Sequence, residues 1–214
     1  MANVLILGAN GSIAKVVEQQ LLADSSDKLT LFMRTPSKLG RPLVDGRERV
    51  IQGDVTDYEA LLPAMVNQDI VYANLLGTDS KLQAETVIKA MQASGLNRLI
   101  WISVLGIYDE VPGKFGTWNK AEIEDDYIKP YAAAASVIEG SSIQYTLVRP
   151  AWLTDEDEVN YEITQKGETF KGTEVSRQSV ADFVVRVIGN PILEVNHSVG
   201  LDKPGTDGDK PAWF

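Results

Sequence analysis

The chain has 214 residues, 44% of them apolar, a formal net charge of −10 and no cysteine. That length suits one α/β domain with its own core, no apolar run reaches the roughly 20 residues a bilayer span needs, and the short start before Val4–Leu7 leaves no room for a secretion signal. The acidic balance argues against a nucleic-acid partner, the missing cysteines remove disulfides and thiol chemistry, and a cytoplasmic setting without membrane contact is expected.

Short β-branched runs alternate with helical patterns, which predicts βαβ units and an α/β, doubly wound parallel sheet. The predicted strands are 3–7, 28–33, 49–52, 70–73, 98–103 and 144–148. Between them Ile13, Val16, Val17 and Leu21 form a helical stripe, and Leu82–Gly95 reads as a helix closed by its glycine. The ends of such strands are where ligands bind. Residues 1–150 are expected to form this core, and 151–214 a small C-terminal extension. In it, 160–164 and 169–171 read as short strands. Val180, Phe183, Val184, Val187 and Ile188 form a helical face capped by Ser176 and closed by Gly189 and Pro191. The last stretch, "DKPGTDGDKPAWF", reads either as a disordered tail or as a strap whose Trp213 and Phe214 dock back.

The first strand runs directly into "GANGSIA". Gly8 permits a tight turn, Gly11 lets backbone approach a pyrophosphate, and small Ala14 lets helix and sheet pack closely. Asn10, Ser12 and Ile13 belong to the same turn and helix start, where unpaired N–H groups receive an anion. This context predicts a Rossmann fold binding a nicotinamide dinucleotide. Strand two ends in "FMRTPSK" rather than on an acidic residue, so Arg34, with Ser37 and Lys38 nearby, suits a 2′-phosphate. NADP is therefore the expected cofactor and NAD the alternative. Asp54 and Val55 after strand three suit the adenine, and Asp57 reads as a helix cap. Asn74 and Leu75 follow strand four, facing the cofactor's middle or forming a buried turn.

The segments "LILGANGSIA", "GDVTD", "DIVYANLLG", "LIWISVLGIYDEVPGKF", "SSIQYTLVRPAWLTDEDEVNYE", "FKGTEVSRQSVADFV" and "PGTDGDKP" resemble the NmrA-like atypical short-chain dehydrogenase/reductases, a group that includes bacterial NAD(P)H-flavin reductases and epimerase/dehydratase-like proteins. The resemblance extends over nearly the whole chain. It implies the Rossmann fold and cofactor contacts from Gly8, Gly11, Arg34 and Asp54.

Typical reductases of that group use a YxxxK pair, in which the lysine lowers the phenol's pKa. Here the tyrosines at 58, 72, 108, 127, 131, 145 and 161 are followed four positions later by Leu, Leu, Pro, Tyr, Ala, Arg and Gln. Tyr131 has Ala135 in the lysine's place, and Tyr145 falls in an apolar strand expected to be core. Without a tuned phenol, reduction of simple ketones is disfavoured. Hydride transfer to a flavin or quinone asks less, because the ring delocalises the incoming charge. Ser103 after strand five and Tyr108 are candidate donors to such an acceptor and Trp152 is a candidate wall, while Ser103 and Pro150 are also candidate cofactor contacts. The rival reading is a non-catalytic, NmrA-like dinucleotide sensor acting through a protein partner. The acidic run 155–158 reads as a solvated loop rather than a metal cage, the lone His197 supports no hydrolase triad, and Lys114 and Lys120, in an insertion able to cover the nicotinamide, read as solvated surface cations.

Overall fold

The computed structural model describes all 214 residues. Strands β1 (Asn3–Leu7), β2 (Lys28–Met33), β3 (Glu48–Gln52), β4 (Ile70–Ala73), β5 (Arg98–Ile102) and β6 (Gln144–Pro150) lie where the apolar runs predict. They form one sheet with two later strands, β8 (Glu162–Gln165) and β10 (His197–Asp202), in the order β3-β2-β1-β4-β5-β6-β10-β8. Only β8 runs antiparallel to its neighbour. A separate parallel pair joins β7 (Trp152–Thr154) to β9 (Glu174–Ser176). The architecture is a mixed α/β, Rossmann-like fold.

The sheet is covered on both faces, which is why its central strands are apolar without alternation. Val4 and Ile6 point into the core under α1 (Ser12–Asp24) and α6 (Arg177–Gly189), and Leu5 and Leu7 into the core under α3 (Ser80–Ser94) and α5 (Lys129–Glu139). All four are fully buried, each contributing about 1.5–3 kcal/mol through side-chain burial. Helix α3 ends at Gly95, whose N–H donates to Gln92 and whose φ of 73° turns the Leu96 N–H back to the Met91 carbonyl at 2.9 Å. Helix α6 is capped as expected, with Ser176 accepting from the Ser179 N–H at 3.0 Å. The short α2 (Tyr58–Leu61) starts at Asp57, whose carboxylate accepts from Glu59 and Ala60.

The extension differs from its sequence reading. Residues 169–171 are not a strand: Phe170 is buried and its N–H donates to Glu110, which turns the chain inward. Pairing begins only at Glu174. The expected strand 160–164 is shifted to β8. β7 and β10 were not expected, since "WLT" is short and "HSVGLD" has too few apolar residues to stand out. Gly200 is needed in β10 because a Cβ there would lie 2.5 Å from the Phe170 ring. The insertion carrying Lys114 and Lys120 is helical, α4 (Gly113–Ile123), and a π-helical turn, Glu124–Ile128, joins it to α5.

Candidate functional site

The carboxyl ends of β1, β2, β4, β5 and β6 open onto two adjoining clefts that share Gly11, Asn74, Leu75 and Leu76. The chain leaves β1 at Gly8 with φ 77°, and a Cβ there would lie 2.3 Å from the Asn74 carbonyl oxygen. Only glycine lets this turn press against the one after β4. The Gly11 N–H donates to Gly8 at 2.9 Å. No side chain caps α1, whose first intrahelical bond runs from Lys15 to Gly11. The N–H groups ahead of that bond are left for an anion.

The first cleft, about 270 Å³, is lined by Gly8, Asn10, Arg34, Lys38, Asp54 and Val55 among others. Arg34 and Lys38 are exposed at the end of β2 and on the helical turn after it. Ser37 is off this lining. Asn10 Nδ2 donates to Thr35 O at 3.0 Å while its Oδ1 is buried without a partner. Asp54 accepts from the Thr56 N–H at 2.9 Å and hydroxyl at 2.7 Å, and these bonds hold its carboxyl below the usual carboxylate range. The cleft therefore offers two unspent cations at one end and a fixed carboxylate beside it.

The second cleft, about 410 Å³, brings together Ser12, Ile13, Asn74, Leu75, Ser103, Pro150 and Trp152. Ser103 follows β5, where its N–H donates to Val148 at 2.7 Å, and its hydroxyl is buried without a partner. Such an orphan is costly unless a ligand completes it. The Trp152 indole N–H donates to Asn119 at 2.8 Å. Its ring packs on Trp118 at 4.8 Å, on Phe214 at 5.5 Å and on Trp213 at 6.1 Å between centroids. The chain's last residues are thus a strap, and Trp213 joins the lining.

Tyr131 lies on this lining, but its hydroxyl donates to Leu75 O at 2.6 Å and burial pushes its pKa above the usual phenol value. No lysine lines the cleft. Tyr127, on the π-helical turn, stacks on Tyr131 at 6.3 Å and is 40% exposed.

Tyr108 stands apart from both clefts. Glu110 accepts from the Gly106 and Tyr108 N–H groups and pairs with buried Arg149, which lies over the Tyr108 ring at 5.3 Å. Its hydroxyl donates to Glu139 at 2.7 Å and Lys166 covers its ring at 4.3 Å. The donor role expected of Tyr108 is corrected accordingly. Tyr145 is not core either: it is half-buried near the start of β6, beside Asn196 and His197. Lys114 and Lys120 pair with Asp209 and Asp109. In the acidic run, Glu156 and Glu158 pair with Lys203, and Asp155 with Arg177.

Sequence reasoning missed Tyr127, Leu76 and Arg177 on the second lining. Tyr127 carried one faint signal, its spacing of four before Tyr131. Arg177 carried none, because its place depends on α6 packing against α1.

A family model described as NAD(P)H-binding matches residues 8–191. The chain is 45% identical to a Rossmann-fold NAD(P)-binding family protein of Shigella flexneri, with a TM-score of 0.84 and 100% of both chains covered. It is 26% identical to a Veillonella parvula short-chain dehydrogenase/reductase solved in complex with NADP, at a TM-score of 0.88 and 99% of each chain. ChuY of Escherichia coli O157:H7, described as an anaerobilin reductase, shares the fold at 20% identity, a TM-score of 0.80 and 96% and 99% coverage.

Proposed function

Because the chain belongs to the NAD(P)H-binding family, we propose that it is an NADPH-dependent atypical short-chain reductase, of the NmrA-like kind, passing hydride to a flavin, quinone or similar flat conjugated acceptor. The observation that carries this reading is the second cleft, lined by Trp152, Trp213 and Tyr127 and by Ser103, whose buried hydroxyl has no partner within the chain. A bound NADPH supplies the hydride. The free α1 N–H groups hold its pyrophosphate, Arg34 and Lys38 its 2′-phosphate, and Asp54 with Val55 its adenine. An NADP-bound neighbour supports this choice of cofactor.

The aromatic walls would hold a flat acceptor ring, and Ser103 would donate to a carbonyl on it. With Tyr131 tied to Leu75 and no lysine on the lining, the chain holds no tuned acid for an alkoxide. Acceptors that spread the charge themselves are therefore its substrates. The same lack of an acid favours the second reading, a dinucleotide sensor without turnover.

Anaerobic stopped-flow loss of NADPH absorbance, over a panel of flavins, quinones and ketones, separates the two. Turnover with conjugated acceptors and hardly any with ketones is expected. Tight NADPH binding with no oxidation above buffer by every acceptor makes the chain a sensor.

A further inference from the structure

Arg177 is the sole charged side chain on the second cleft. It opens α6, and because α6 packs against α1 its side chain crosses to the neighbouring helix start. There Nε donates to Ser12 Oγ at 3.1 Å and Nη1 pairs with Asp155 at 2.7 Å. The Arg177 side chain is 24% exposed and that of Asp155 90%. One side of the guanidinium is therefore tied to the phosphate turn, and the other is held by a carboxylate that water can solvate at little cost.

The turn itself, Gly8–Ala14, contains no cation, in a chain of net charge −10. A pyrophosphate brings two negative charges to it. We propose that Arg177 is a pyrophosphate-binding residue of this chain, and that Asp155 competes with the cofactor for it. On binding, the Ser12 contact keeps the arm over the start of α1 while Nη1 exchanges the Asp155 carboxylate for phosphate oxygen. Nη2, which makes no hydrogen bond within the chain, joins it in the paired geometry that guanidinium offers phosphate. This inference rests on dinucleotide binding and not on any acceptor.

The two partners of one ion pair then act with opposite sign. Equilibrium titration of NADPH, NADH, ADP-ribose and 2′-AMP, with a thermal melt of each variant, reads this without turnover. Arg177→Gln is expected to weaken the three pyrophosphate ligands alike, by about ten- to a hundredfold, and to leave 2′-AMP unchanged. Asp155→Asn, at an exposed site that leaves folding intact, is expected to tighten the same three by about two- to fivefold. If Arg177→Gln lowers the melting point, Arg177→Lys keeps the charge, and binding between parent and Gln is expected.

Weaker binding in Asp155→Asn makes the pair a structural clamp and overturns the proposal. So does an Arg177→Gln variant that binds all four ligands like the parent and raises only the KM of an acidic acceptor, which puts the guanidinium on the acceptor. A parent that binds NADPH and oxidises none of it fails the reductase reading alone.

Discussion

Asn74 closes over Gly11 so tightly that a Cβ at Gly11 would lie 2.0 Å from Asn74 Nδ2. The two turns, after β1 and after β4, are thereby one surface. In Gly11→Val the Asn74 amide has to swing away and a branched side chain stands over the first turn of α1. NADPH binding is expected to be lost while the melting point falls little, since Gly11 has an ordinary φ of −64°. Gly8→Ala differs, because its Cβ would meet backbone and its φ is 77°. That variant is expected to lose stability by about 1–3 kcal/mol, read as a lower melting point before any ligand is added.

The Arg34 guanidinium makes no hydrogen bond or ion pair within the chain, only its carbonyl accepting from Gln52, and the residue lies on the first cleft. Arg34→Ala is expected to weaken NADPH by about ten- to a hundredfold and to leave NADH within about twofold. Equal affinity of the parent for both cofactors refutes the 2′-phosphate role.

Ser103→Ala removes one hydrogen bond to the acceptor and is expected to slow flavin or quinone reduction only a few-fold, about 1 kcal/mol. Trp152→Ala and Trp213→Ala remove the walls that hold the ring, and are expected to raise the acceptor's KM more than Ser103→Ala does. NADPH affinity should be unchanged in all three. Steady-state kinetics beside a cofactor titration read both quantities.

Asp202 ends β10 with Oδ2 accepting from the Gly172 N–H at 2.9 Å and Oδ1 buried without a partner. Burial raises its pKa from 3.8 to about 6. The folded carboxyl thus keeps a proton that the unfolded one has released. Its stabilising effect is full below 3.8 and is lost as pH rises through about 6. Asp202→Asn keeps the acceptor for Gly172 and carries no charge. It is expected to gain about 1–2 kcal/mol over the parent above that range and to converge with it below. Urea unfolding of both proteins across pH measures the difference.

The nucleotide half was legible in the sequence because its signals are local. Gly8 and Gly11 are the two ends of one turn between a strand and a helix, and Arg34 directly follows the next strand. The acceptor half was legible only in part. Trp152 sits directly after β6, but Trp213 reaches it from the far end of the chain, and Arg177 is brought to Ser12 by the packing of α6 on α1. Tyr108 misled because nearness to Ser103 in sequence does not place it on the cleft: its ring lies against Arg149 and its hydroxyl donates to Glu139. β10 was invisible since its fit depends on Gly200 lying against Phe170, a contact with no periodicity.

The lining of the nucleotide cleft comes entirely from the stretch between Gly8 and Gln83, whereas the acceptor wall is assembled from Ser103, Tyr127, Trp152 and Trp213. On a ribosome the first set is therefore synthesised before any of the second. Strand β10 must then insert between β6 and β8, a long-range closure of the kind that slows folding in general. A nascent chain therefore carries every residue of the first cleft before the residues that close the second have been made.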